Sequence, residues 1–358
     1  MRYRSFGQTG KEISAISFGG MRFPEPQKMD QSADLLLYAH DQGINYFDTA
    51  PVYCADRSED IFGHALSQKP RESYFVSSKC SRAKGQDLRQ SLERSLRRLQ
   101  TDHIDFFYIW HLMTADDWEQ RKQGGAVEAA LKAREEGLIR HLLCSSHMEG
   151  GGLADVLAEG VFEGVLLGYN ALNFPYRQQA VAQAGQMNLG VVTMNPLAGG
   201  LIPQNPDRFS FLKRDKSESI VQAALAFNLS HPAITTALVG FSEKKHIDEA
   251  VAAVDNLTPQ TEEARQRISE NIEKAFDQLC TGCGYCLPCP VGIPIPKFMD
   301  VYNQVMLSHN EPNTASNRFR MHWGLTAEQA TNCTRCGLCE ERCTQHLPII
   351  ERLAELSP

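Results

Sequence analysis

The chain has 358 residues, 42% of them apolar, and a formal net charge of −7. That is enough apolar material for one large domain and a smaller one. The acidic balance argues against a nucleic-acid partner or an anionic membrane surface. No apolar run reaches the ~18 residues that span a bilayer. The start, Met1-Arg2-Tyr3-Arg4, leads into polar residues rather than a signal-type stretch, so a cytoplasmic protein is expected.

Residues 2–12 read as a short hairpin turning at Gly7 and Gly10. Strand-like runs then alternate with helix-like ones. Strands are expected over residues 13–18, 45–49, 73–79, 104–111, 139–145, 164–167, 191–194 and 234–238. Helices are expected over 30–42, 58–67, 86–99, 126–136, from a flexible Gly150–Gly152 corner to Glu159, then near 177–186, 217–230 and 242–254. The stripe Leu88, Leu92, Leu96 and Leu99 is one such helical face. Eight strands alternating with eight helices predict an α/β fold, a parallel (β/α)8 TIM barrel. The rival doubly wound sheet would want G-x-G-x-x-G soon after strand one, where none stands. Residues 195–216, rich in Pro, Gly and Lys/Arg, read as a long functional loop after strand seven, where such barrels often bind phosphate. Thr258-Pro259 signals a helix running to about Leu279. The chain then divides into a barrel over 1–257, a connecting helix over 258–279 and a cysteine-rich domain over 280–358.

Three strand-like runs end in reactive side chains. Asp48 stands next to last in the second, Lys79 ends the third and His111 the fourth, and Tyr53 lies in the loop after strand two. Active sites of such barrels form at the C-terminal strand ends. Asp48 can pair with Lys79, because either ion buried alone costs several kcal/mol. The ammonium then favours the phenolate of Tyr53, making it a usable general acid. His111 can donate to a carbonyl oxygen and polarise it. Singly, each residue is more often a cap or a surface group than a catalyst; together, on consecutive strands, they argue for a site.

The stretches Tyr3–Gly10, Ile16–Met21, Asp48–Tyr53, Ser77–Lys79 and Ile109–His111 resemble the aldo-keto reductases, over about residues 1–255. The resemblance implies NADPH- or NADH-dependent reduction of an aldehyde, ketone or sugar-like carbonyl without flavin. It makes Tyr53 the acid, Asp48 and Lys79 its tuning pair and His111 the orienter. It also implies cofactor contacts from Gly20 and Met21, from Ser145 and Ser146, and from Met194, Pro196 and Leu197. At the adenine end it implies Gly240, Phe241, Ser242, Lys245, His246 and Glu249, with Lys244, Lys245 or His246 available to a 2′-phosphate. Several positions depart from the family pattern. Ser145-Ser146 replaces Ser-Asn, Gly168 replaces Gln, Met194 replaces an aromatic, and Glu249-Ala250 replaces Glu-Asn.

Of the eleven cysteines, Cys54, Cys80 and Cys144 are scattered and the rest lie at or beyond Cys280. Without a secretion signal, clustered cysteines point to metal before disulfides. The runs Cys280-x2-Cys283-x2-Cys286-x2-Cys289 and Cys333-x2-Cys336-x2-Cys339-x3-Cys343 resemble bacterial-type ferredoxins and imply two 4Fe-4S clusters. In two-cluster ferredoxins the fourth cysteine of each run serves the other cluster. That groups Cys280, Cys283 and Cys286 with Cys343, and Cys333, Cys336 and Cys339 with Cys289. Two zinc sites are the alternative, although zinc ribbons separate their Cys pairs by ~15–20 residues. Between the runs, Phe298, Met299, Tyr302 and Met306 form an apolar helix face, read as core. A cluster moves one electron and a nicotinamide two with a proton, and a flavin or similar carrier normally joins them. The clusters are therefore read as serving electron transfer, sensing or structure. Expected partners are a small carbonyl compound and a ferredoxin or other electron carrier, with no nucleic acid and no membrane. The alternatives are an iron–sulfur electron-transfer protein whose barrel docks a redox partner or substrate, and a nicotinamide-binding redox sensor.

Overall fold

The computed structural model describes residues 1–148, 150–255, 257, 261–275, 279–280, 284–307 and 313–358. It opens with an antiparallel hairpin, β1 (Tyr3–Ser5) and β2 (Glu12–Ser14). Eight strands follow: β3 (Ile16–Gly19), β4 (Tyr46–Asp48), β5 (Phe75–Cys80), β6 (Ile104–Leu112), β7 (Ile139–Ser146), β8 (Gly164–Gly168), β9 (Gly190–Met194) and β10 (Thr236–Val239). They form a closed barrel in chain order, with β10 pairing parallel to β3 through Ala237 and Ile16. These strands are apolar runs rather than alternating ones because both faces are covered: β6 is buried along its whole length except at His111.

The hairpin explains why the first barrel strand starts later than residue 13. Ile13 and Ser14 pair within the hairpin, and Phe6 turns inward as a plug. Its ring lies 4.6 Å from that of Phe106, among Tyr46, Tyr108, Leu143 and Leu166. Gly190 makes room for it, since a Cβ there would stand 2.0 Å from the Phe6 ring.

Two helices differ from expectation. The Gly150–Gly152 corner is instead the first turn of the helix Gly150–Ala158. Glycine costs roughly 1 kcal/mol per helical position, and close packing offsets it here: a Cβ on Gly152 would meet Met148 at 3.0 Å and one on Gly151 would meet Gln179 at 3.4 Å. The helix Ala115–Gln123 has no apolar stripe and buries only Trp118 and Arg121. Its signal is local: a capping box in which Thr114 accepts from the Asp117 N–H while Asp117 accepts from the Thr114 N–H. In the helix Gly85–Leu99 the buried stripe runs through Leu88, Leu92, Ser95 and Leu99, with Leu96 only half-buried.

The chain packs into two units, Met1–Leu197 with Leu212–Thr261, and Ala198–Phe211 with Glu262–Pro358. The segment expected as a loop is thus partly an element of the second unit. Within Ala198–Phe211 a helical turn forms over Leu201–Gln204, and Leu201, Ile202 and Phe209 are buried. The helix Glu262–Ala275 lies where a connecting helix was expected; Thr258 and Pro259 lie outside the described residues. The second unit continues with helices Ile295–Leu307, Leu338–Glu341 and Ile349–Leu356 and shorter turns between them. Phe298, Met299, Val301, Phe319, Ile349 and Leu353 form its core. Tyr302 and Met306 are only half-buried, and the Tyr302 hydroxyl donates to Glu355. Among the described residues no helix is long and apolar enough to cross a membrane.

Candidate active site

The site begins with strand register. Asp48 on β4 stands opposite Ser77 on β5, and Ser77 and Lys79 point the same way because side chains alternate along a strand. The Lys79 ammonium is fully buried and donates to Asp48 Oδ2 at 2.5 Å and to the Thr49 carbonyl at 2.8 Å. The second carboxylate oxygen of Asp48 accepts from the Ser77 hydroxyl at 2.5 Å. Burial pushes the Lys79 ammonium below its ordinary value, opposed by the charges of Asp48 and Glu59. Its Nζ lies 5.2 Å from the centre of the half-buried Tyr53 ring and 5.4 Å from that of Tyr108.

Three tyrosines approach this ion pair, and only one is suited to give up a proton. Tyr46 and Tyr108 are fully buried and share a hydroxyl contact of 2.6 Å. Burial, with the Asp48 charge adding to it, pushes both phenols well above their ordinary value. Tyr53 stays partly open to solvent.

The backbone around Tyr53 is held in uncommon geometry. Val52, Cys54, Ala55 and Asp56 all have positive φ, between 53° and 65°. Such non-glycine residues cost of order 1–3 kcal/mol each and persist only where their surroundings hold them. Arg98 supplies much of that hold. It donates to Asp56 at 2.7 Å, to Asp60 at 2.8 Å and to buried Glu59 at 3.3 Å. Glu59 in turn accepts from Ser78, next to Lys79.

His111 is turned by a bulge. The β6–β7 register shifts between Ile109 and Leu112, and His111 has φ of 65°. A row of rings runs on from Tyr53, which meets Trp110 edge-on at 5.6 Å, and His111 meets His147 at 5.7 Å. Burial pushes the His111 imidazole down, so at neutral pH it is a neutral hydrogen-bonding group. The structure thus brings together Asp48, Lys79 and Tyr53, with His111 beside the adjoining Trp110.

Ser77, Thr49, Trp110 and His147 belong to the same neighbourhood and were not singled out from sequence. Ser77 was findable, lying two residues before Lys79 on the same strand face. The scattered thiols are structural. Cys80 and Cys144 are buried, and Cys54 donates to the carbonyls of Gly20 and Met21.

The expected cofactor positions fall into two kinds. Some are used by the protein itself. Gly20 is crowded, since a Cβ there would meet Phe62 at 2.5 Å and Ser58 at 2.6 Å. The Ser146 hydroxyl donates to the Leu112 carbonyl and accepts from the Met148 N–H. Phe241 is buried against Phe18 at 5.3 Å, and Glu249 accepts from Ser219. Ser145 and Pro196 are buried, while Met194 and Leu197 are half-buried. Others face solvent: Met21, Gly240, Ser242 and Lys245 are exposed, and half-buried His246 shares a 3.0 Å contact with Ser242. Lys245 pairs with Glu243 at 2.8 Å, and Lys244 lies over the Tyr38 ring. These groups sit at the start of the helix Lys244–Asp255, where backbone N–H groups could hold a phosphate.

In the second unit, Cys286, Cys289, Cys333, Cys336 and Cys339 line one small cavity. Cys339 and Cys343 are buried in the core, and Cys280 is pinned by Asn303, whose side chain bonds both its N–H and its carbonyl. Cys283 lies outside the described residues. Among the described residues no three Cys, His, Asp or Glu side chains stand close enough for a single metal ion. A 4Fe-4S cluster takes its thiolates on separate irons, and a thiol-lined cavity suits such a group.

The comparisons agree with this architecture. The profile described as "Aldo/keto reductase family" matches residues 15–272, and that of a "4Fe-4S dicluster domain" matches residues 278–347. An L-galactose dehydrogenase of Arabidopsis thaliana is 29% identical over 289 residues, covering 71% of this chain and 88% of the relative. An L-glyceraldehyde 3-phosphate reductase of Escherichia coli O157:H7 is 24% identical over 320 residues, covering 74% and 91%. The holo form of aldo-keto reductase AKR11C1 from Bacillus halodurans shares the fold with a TM-score of 0.66 at 24% identity, over 76% of this chain and 96% of that one. With the family profile spanning most of the chain and the barrel closed beneath it, this oxidoreductase belongs to the aldo/keto reductase family and carries a C-terminal 4Fe-4S domain.

Proposed function

We propose that the barrel reduces a small aldehyde, ketone or sugar-like carbonyl with NADPH or NADH, using Tyr53 as the acid. The observation that carries this reading is the buried Lys79 ammonium, bonded to Asp48 at 2.5 Å and set 5.2 Å from the Tyr53 ring. A bound nicotinamide supplies the hydride. The carbonyl oxygen gains negative charge as its carbon is reduced, and Tyr53 delivers a proton to it. Lys79 lowers the cost of the phenolate left behind, and Asp48 keeps Lys79 in place. His111, neutral at pH 7, orients the carbonyl by a hydrogen bond. Ser242, Lys245 and His246 at the helix start support a seat for the dinucleotide's phosphate end.

The second unit is assigned two 4Fe-4S clusters. The cavity lined by Cys289, Cys333, Cys336 and Cys339, which Cys286 also borders, supports one set. The other set is Cys280, Cys283, Cys286 and Cys343. Buried Arg352 supports it, since its charge acts on both Cys280 and Cys343. Bound clusters supply single electrons, for transfer, sensing or structural support.

Anaerobically purified protein titrated with NADPH and NADH tests the reading. Tight binding and carbonyl turnover are expected, and Tyr53→Phe should lower kcat by about 10²–10⁴-fold with the cofactor still bound. Turnover that survives Tyr53→Phe would refute the assignment of the acid.

A further inference from the structure

The helix Ala115–Gln123 lies at the catalytic end of the barrel. It follows directly on β6, three residues after Leu112, through its cap at Thr114. At its other end Gly124 accepts from the Gly85 N–H, and Gly125 bridges to Lys84 in the segment leaving β5. A Cβ on Gly124 would stand 2.2 Å from the Ala83 carbonyl, so the helix end is pressed onto that segment. The helix therefore spans from the end of β6, which carries His111, to the end of β5, which carries Lys79 and Cys80.

Its buried face holds two large side chains, and they are treated differently. Trp118 packs against Phe162 and donates to Glu159 at 2.7 Å. Arg121 is only 7% exposed, and its Nε is sealed from solvent without a hydrogen-bond partner. Its guanidinium makes no hydrogen bond and no ion pair among the described residues. The carboxylate whose charge acts on it, Asp117, is engaged in capping by the N–H groups of Met113 and Thr114. A guanidinium carries up to five donors, and a sealed Nε–H without an acceptor is uncommon because it loses its water with nothing in return. The Arg121 charge reaches both Cys80 and His111, and burial pushes the guanidinium down.

We infer that Arg121 is a substrate-recognition residue, binding a carboxylate or phosphate carried by the carbonyl compound whose carbonyl faces Tyr53 and His111. This rests on the reductase reading for its orientation but not for its anion. The oxyanion supplies the acceptors that the protein withholds, and a planar guanidinium accepts either group through two parallel bonds. The fold is left less stable so that the donors remain available, a trade expected at binding sites and not at structural arginines.

Two measurements on the full anaerobic holoprotein test it. The first needs no turnover: calorimetric titration of wild type, Arg121→Gln and Arg121→Lys with inorganic phosphate and with benzoate, alongside melting temperatures. Wild type should bind at least one of the two anions, and which one it binds identifies the group. Arg121→Gln should weaken that binding about 10- to 100-fold, with Arg121→Lys between, and its melting temperature should not fall. The second compares kcat/KM for glyceraldehyde 3-phosphate against glyceraldehyde, and for 4-carboxybenzaldehyde against benzaldehyde. The preference for the charged member should fall by a similar factor in Arg121→Gln, through KM more than kcat. No anion binding by wild type, undiminished binding by Arg121→Gln, or a lower melting temperature in that variant would overturn the proposal. Anion binding lost in Arg121→Gln while Tyr53→Phe keeps its turnover would sink the acid assignment and leave this site standing.

Discussion

The barrel and the cysteine-rich unit solve the same problem, charge in an interior, by different means. Around the Asp48–Lys79 pair of the barrel the protein supplies both sides. Lys79 has Asp48 and a carbonyl, Asp48 has Ser77 as well, and Glu59 has Arg98 and Ser78. In the cysteine-rich unit, thiols are built into the core itself, with Cys339 and Cys343 among Phe298, Ile349 and Leu353. Burial pushes the Cys339 thiol up to about 11, so a thiolate there calls for a cation beside it. The lesson is that a preorganised site can be complete in the polypeptide alone, whereas a ligand cage is finished by what it holds.

Removing iron gives the largest test of that contrast. Extruding the clusters from anaerobic protein should unfold the second unit cooperatively, as metal binding and folding are coupled in small metal domains. Trp323, which donates to Asp300 at 2.7 Å, lies in that unit, whereas Trp110 and Trp118 lie in the barrel. Hydrogen exchange should therefore show protection lost along Ile295–Leu307 and kept along β5 and β6. Protection kept in both would break the contrast.

Next in size is the ion pair. Lys79→Met leaves Asp48 buried without its cation and should cost roughly 3–5 kcal/mol in denaturant unfolding. Adding Asp48→Asn should recover part of that loss. A double variant no more stable than Lys79→Met would show that the two residues do not act as a pair.

The smallest effect concerns Asp105. Burial would raise its carboxyl, but His103 and Arg71 outweigh burial, and the net shift is downward. It accepts from Arg71 at 2.6 Å and from the Val76 N–H at 2.9 Å. A folded value below the unfolded one of about 3.9 means its contribution is full above that pH and is lost as pH falls through the folded value. Acid unfolding of Asp105→Asn should accordingly show a shallower slope below about pH 4 than wild type. Equal slopes would place the acid sensitivity elsewhere.

Much of this protein was legible in its residues. Apolar runs alternating with helical stripes predict a parallel barrel, because strands covered on both faces must be apolar throughout. Asp48, Lys79 and His111 at successive strand ends mark the mouth, since alternation and strand order together decide which groups converge. Cysteine spacing marks the ligand cage, because three of the thiolates assigned to each cluster come from one closely spaced run. Tertiary structure alone decided the rest. The bulge that turns His111, the plug made by Phe6 against Gly190, and the glycine-rich turn of the helix Gly150–Ala158 all depend on neighbours far away in sequence. Arg121 shows the limit most plainly. Sequence reports a charged residue in a polar helix, and only the packed fold can show that it is buried, without acceptors among the described residues, beside the strand ends. Periodicity tells which face a side chain takes; it cannot tell what meets that face.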